Sequence, residues 1–146
     1  MDFEVAMKRS HRRNLVESCI KFFIRELGLE RSRYSLVIMA EKGLREAEDA
    51  QGIVFRFGER DLAMLVDSRL NYKDLVETIA HEMVHVRQMA RGTLKTAVSR
   101  GRTHQIWRGK KMGEIAYHRR PWEIEAFQLE RLLVNNFVYD ILGKIK

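Results

Sequence analysis

His81-Glu82-Met83-Val84-His85 is the run in this chain whose residue types and spacing specify a chemistry. Two histidines four residues apart stand one above the other on a helix, so both imidazoles can reach one metal ion. The glutamate beside the first histidine can then act as general base on a metal-activated water. All of this depends on the run being helical.

Its surroundings satisfy that condition. At about 100° per residue, Leu75, Val76, Ile79, Ala80, Met83, Val84, Val86 and Ala90 fall on one half of a wheel. Asp74, Glu77, Thr78, His81, His85 and Gln88 fall on the other, with Glu82 at the border. Asn71 is a good N-cap with Asp74 three residues on, and Gly92 is a good stop. The motif therefore belongs to an amphipathic helix, its histidines turned away from the main apolar contact.

A catalytic zinc needs three protein ligands and one open position. A metzincin would carry glycine at 88 and histidine at 91, where this chain has Gln88 and Arg91, so that class is excluded. The candidates are His104, His118, Glu123 and Glu125. Pro121, the only proline, opens a last helix to about Leu142, ended by Gly143. On that helix Ile124, Phe127, Val134, Val138 and Ile141 form a broad apolar face with Glu123 near its middle. Glu125 projects to the opposite side with Gln128 and Asn136. A carboxylate aimed into a core is costly unless paired or metal-bound, which makes Glu123 the expected ligand and Glu125 and His104 the alternatives.

Residues 8–27 read as a helix burying Leu15, Val16, Cys19, Ile20, Phe23 and Leu27, closed by Gly28. Tyr34–Ala40 reads as a strand buried on both sides, and residues 41–51, with Glu41, Glu46, Glu48 and Asp49, as a loop or helical turn. Ile53–Phe57 and Leu62–Val66 read as strands joined by a turn at Gly58-Glu59-Arg60-Asp61. The first of them could dock an extended peptide as an edge strand. From Gly92 to Arg120 periodicity is lost and the chain turns basic. Arg91, Lys95, Arg100, Arg102, Arg108, Lys110, Lys111, Arg119 and Arg120 face a single acid, Glu114. Residues 92–120 thus read as a long basic loop, mobile or functional.

The 146 residues suffice for one domain, 1–146, and a hydrophobic content of 45% is ordinary for a globular protein. No apolar run approaches membrane-span length, and Met1-Asp2-Phe3-Glu4 has no signal-peptide character. Cys19, the lone cysteine, cannot form an internal disulfide, so a reducing, cytoplasmic setting is expected. It sits on a different, core-facing helix, which argues against the cysteine-ligated zinc site of deformylases. A formal net charge of +7 points to an anionic partner. With Trp107 and Tyr117 among the cations, nucleic acid is one candidate, bound either by a module whose zinc site is structural or vestigial, or by a protease acting on DNA-bound proteins.

At these residues the chain resembles a known group. His81-Glu82-x-x-His85 followed by Glu123-Ile124-Glu125-Ala126 looks like the H-E-x-x-H plus E-x-x-A arrangement of small gluzincin-type (minigluzincin) metallopeptidases, such as the ImmA/IrrE-like and HtpX-like proteins. The stretch from Trp107-Arg108-Gly109-Lys110 through Tyr117 to Pro121-Trp122-Glu123-Ile124-Glu125-Ala126 also resembles small phage-encoded SprT-like proteins. The resemblance covers roughly residues 71–130. It implies that Glu123 completes a site with His81 and His85. SprT proteins proper use a third histidine, which would be His104 here, followed by Gln105 in place of the usual glycine. The residue after E-x-x-A is Phe127, not the Asp or Asn common in the larger families.

The expectation is an α+β minimal zincin in which an N-terminal helix and a three-stranded sheet pack around the motif helix and the last helix supplies the third ligand. His81, His85 and Glu123 would bind Zn2+, Glu82 would be the general base, and Tyr117 is the candidate oxyanion donor. A protein or peptide would be the substrate.

Overall fold

A computed structural model of the chain describes residues 1–44 and 50–145. It is an α+β arrangement of two sheets and three α-helices among the described residues. Residues 45–49, part of the polar stretch expected to be a loop or helical turn, lie outside the described residues.

The first sheet has four strands, β1 (Asp2–Ala6), β2 (Ser35–Glu41), β3 (Gly52–Gly58) and β4 (Asp61–Asp67), in the order β1-β2-β4-β3. The expected sheet lacked β1. That strand is five residues long, and its only signal is the alternation of Phe3 and Val5 with Asp2 and Glu4. β1, β2 and β4 run parallel, and β3 is an antiparallel edge on β4. Flanked by strands on both sides, β4 is the most buried, with Leu62, Ala63, Met64 and Val66 inside. β2 is not buried on both faces as expected. Leu36 and Ile38 are buried in the core, whereas Val37 and Met39 are half-buried.

Helix α1 (His11–Glu26) starts later than residue 8, because the Ser10 side chain caps it by accepting from the Arg13 N–H at 3.1 Å. It ends where Gly28 takes φ +68°, letting the Leu29 N–H reach the Ile24 carbonyl at 2.8 Å. Val16, Cys19, Ile20 and Phe23 of α1 are fully buried. Side chains of this kind each contribute about 1.5–3 kcal/mol on leaving water.

Helix α2 (Tyr72–Ala90) carries the motif, capped by the Asn71 side chain, which accepts from the Asp74 N–H at 2.8 Å. Leu75, Ile79, Met83, Val84 and Val86 join the core. The histidine face, turned away from the main apolar contact, is covered by the last helix. Helix α3 (Pro121–Ile145) packs along it, so the polar residues of α2 are buried as well. A wheel separates two faces but cannot say what covers the second.

Helix α3 runs through Gly143 to Ile145. Its buried face is Trp122, Glu123, Ala126, Leu133 and Phe137. The face expected to be buried is largely exposed: Ile124, Phe127, Val138 and Ile141 are 43%, 49%, 47% and 36% accessible. With apolar residues on nearly every side, the helix has no single stripe to predict from. Ala126 is fully buried, a small residue that lets α3 approach α2 closely at the motif.

The basic stretch is not a loop. It forms a second sheet, β5 (Leu94–Ser99), β6 (Arg102–Trp107) and β7 (Lys110–Lys111), antiparallel throughout. Both hairpins turn on an Arg-Gly pair with positive φ, Arg100 (53°) with Gly101 (75°) and Arg108 (51°) with Gly109 (80°). Two consecutive positive φ values between paired strands are the I′ geometry that matches strand twist. An arginine there costs about 1–2 kcal/mol relative to a relaxed backbone. Trp107 anchors this sheet to α3 by packing on Trp122, ring centroids 6.2 Å apart. No helix among the described residues is long and apolar enough to cross a membrane.

Candidate metal centre

Three side chains from two helices converge. His81 and His85, one turn apart on α2, point at the first turn of α3, where Glu123 points back. Glu123 Oε1 lies 2.9 Å from His81 Nε2 and 3.0 Å from His85 Nε2. Relative exposures of 8%, 7% and 8% for His81, His85 and Glu123 put the cluster between the helices rather than on a surface. Among the described residues it is the single group of His, Cys, Asp or Glu side chains with metal-ligand spacing, its donor atoms all within 4.8 Å of one another.

Gln88 decides which donors are free to bind. Its amide nitrogen donates to the Trp122 carbonyl at 3.0 Å and to Glu125 at 3.1 Å, so its oxygen must face His85. That oxygen lies 2.8 Å from His85 Nδ1, which must then carry the hydrogen. In the neutral ring His85 Nε2 is left as a lone pair aimed at a carboxylate oxygen. Two acceptors do not meet at 3.0 Å unless a proton or a cation lies between them. In a tetrahedral zinc site with bonds of about 2.0–2.1 Å, neighbouring donor atoms stand about 3.3 Å apart. The observed 2.9 and 3.0 Å are within a few tenths of an ångström of that spacing. Two imidazoles and a carboxylate also suit zinc chemically. The donor set fits the ion.

Titration follows the same geometry. Burial alone would push the His85 imidazole down, but the hydrogen bond to Glu123 and the Glu82 and Glu123 charges lift it to about 9. Burial opposes the Glu123 charge, and hydrogen bonds from both histidines overcome it, holding this carboxyl at about 2. Glu82 is pushed up by burial, with the two histidines opposing. A carboxyl lifted in this way is a stronger base than an ordinary glutamate.

Glu82 stands beside the cluster in a cavity of about 650 Å³ bounded by Gly52, Thr78, Tyr117, Arg120, Phe127 and Glu130. Gly52, the first residue of edge strand β3, packs so closely that an added Cβ would lie 2.7 Å from Thr78 Cγ2 and 3.1 Å from Glu82 Cγ. The edge strand therefore begins at the general-base candidate. The Tyr117 hydroxyl donates to Glu123 Oε1 at 3.2 Å, and burial followed by the Glu123 charge pushes its ionisation up to about 12. It stays a neutral donor at any physiological pH.

The other candidates lie elsewhere. His104 is on β6, paired with Ala97, and outside the cluster. His118 sits exposed in the 3-10 turn Tyr117–Arg119. Glu125 holds Gln88 in place and lies 3.9 and 4.0 Å from Arg87 and Arg108. Cys19 is buried in the core, its thiol pushed up to about 12 by that burial. Trp107, read as a stacking platform, is spent on Trp122.

Two residues had no role in the sequence reading. Gln88 orients His85, and the signal available was its place on the histidine face, three residues after His85. Glu130 brings a carboxylate within 3.9 Å of His81 Nδ1, a charge partner for that ring. No protein-family model, curated protein or solved structure matches the chain.

Proposed function

We propose that this chain is a zinc-dependent cytoplasmic peptidase with a minimal zincin layout. The observation that carries the reading is the convergence of His81, His85 and Glu123 on one point, with Glu82 beside them and not among them. His81 Nε2, His85 Nε2 and the Glu123 carboxylate would hold Zn2+, which when bound supplies a Lewis acid and an acidic water.

The chain's own groups do the rest. The Glu82 carboxylate takes a proton from the attacking water and hands it to the nitrogen of the leaving amine. Its burial raises its affinity for the proton taken in the first step. The Tyr117 hydroxyl, aimed at the same point, would donate to the oxygen of the carbonyl under attack. β3 is an edge strand that starts beside Glu82, so an extended peptide paired along it would deliver a backbone carbonyl to the site.

The test sets chemistry against binding. Glu82→Gln should keep wild-type zinc content and melting temperature and lose hydrolysis of an unfolded protein substrate by about a hundredfold or more. Equal activity in the two proteins would remove Glu82 from the mechanism and the peptidase reading with it.

A further inference from the structure

We propose that the cleft between β6 and residues 112–115 binds an acidic segment of the polypeptide substrate. This cleft, about 940 Å³, is separate from the cavity that holds Glu82. Arg100, Arg102, Lys111 and Arg120 line it, with Glu114 as their one acidic counterpart. No carboxylate among the described residues makes an ion pair with any of these four cations. Four unpaired cations around one concavity raise the local potential well above that of a flat surface, and the ligand that relieves it is anionic.

Arg120 joins this cleft to the catalytic cavity, since it lines both. Its Nε donates to the Ile115 carbonyl at 3.0 Å and its guanidinium lies 5.5 Å from the centre of the Tyr117 ring. The side chain is therefore held at the junction, with its terminal nitrogens available. A peptide crossing the Glu82 cavity would pass Arg120 and enter the cationic cleft. The planar fork of an arginine suits a carboxylate there.

The same surface is poorly built for nucleic acid. Bases need aromatic faces to stack on. Trp122, the aromatic residue of the cleft, is 6% exposed and packed on Trp107. The identification of the ligand as a peptide rests on the peptidase reading; the anionic preference of the cleft does not.

The experiment uses the full-length Glu82→Gln protein and a fluorescent peptide of alternating glutamate and glycine, with binding read by anisotropy at about 0.15 M salt. A lysine–glycine peptide and a single-stranded oligonucleotide serve as competitors. The glutamate peptide should bind, and the lysine peptide should not compete. Arg100→Glu, Arg102→Glu and Lys111→Glu together should weaken binding by about tenfold or more, with zinc content and melting temperature unchanged. Changing the same three residues to Gln should give an intermediate loss. Undiminished binding in the charge-reversed protein, equal competition by the lysine peptide, or an oligonucleotide that displaces the glutamate peptide at lower concentration would each overturn the proposal. A wild-type chain that binds the glutamate peptide but hydrolyses no protein substrate would sink the peptidase reading and leave the anionic preference of the cleft standing.

Discussion

At the scale of single residues, Gln88 has more influence than its distance from the reacting atoms implies. It is 1% exposed and fixes which nitrogen of His85 carries hydrogen. Gln88→Ala should weaken zinc binding by about 10–100-fold, the usual cost of losing a partner that orients a metal ligand. Competition with a chromophoric chelator would measure it, and an unchanged affinity would show that His85 needs no such partner. The His85–Glu123 contact also sets a pH dependence for the metal-free protein. The folded-state value for His85, about 9, lies above its ordinary 6.5, so its stabilisation is complete below 6.5 and lost as pH rises through 9. Glu123, at about 2 against 4.5, contributes fully above 4.5 and loses its contribution as pH falls towards 2. Thermal melts in chelator should therefore decline between pH 6.5 and 9, and zinc should reverse the decline, because binding at Nε2 requires the deprotonated ring and strengthens as pH rises. A His85→Ala protein with the same alkaline decline would contradict the assignment.

Among the elements, the edge strand and the motif helix meet at Gly52, where a side chain has no room. Gly52→Val should cost about 1–3 kcal/mol of stability by forcing β3 away from Thr78 and Glu82, read by denaturant unfolding; no loss would mean that the strand start moves aside freely. The motif helix was legible because its cap, its period and its stop all agree over Asn71–Gly92. Strands β2, β3 and β4 were legible from apolar runs and from the turn at Glu59-Arg60, each extending a residue or so beyond its apolar stretch. β1 and the second sheet were not. Strand Leu94–Ser99 buries only Leu94 fully, so little alternation is written into it. The signal that could have revealed it is the pair of Arg-Gly steps at 100–101 and 108–109, since glycine at the second position of a two-residue turn marks a hairpin. On α3, apolar residues on nearly all sides hid the true contact face. Glu123 is inward as expected even though most of the face expected around it is exposed, because it also belongs to the observed buried face.

Over the whole molecule, the α2–α3 interface is both the seam that closes the core and the proposed zinc site, so metal and fold are coupled. Further along α3, Phe137 packs on Phe22 and Phe23 of α1, ring centroids 5.4 and 5.7 Å apart, while the near end of the seam is held by Glu123 between two histidines. The cationic second sheet hangs from the near end through Trp107 and Trp122, which ties the proposed acidic-peptide cleft to the same place. If the ion is present, it stabilises the fold by mass action, by about 2.7 kcal/mol at a free concentration a hundred times its Kd. The most direct measurement is zinc stoichiometry, by metal analysis after equilibration with limiting free zinc, on the wild type and on Glu123→Ala, Glu125→Ala and His104→Ala. The account predicts about one zinc per chain in the wild type, Glu125→Ala and His104→Ala proteins, and a large loss of zinc and of melting temperature in Glu123→Ala. A wild-type chain that takes up no zinc, or a Glu123→Ala chain that holds it as tightly as the wild type, would contradict it.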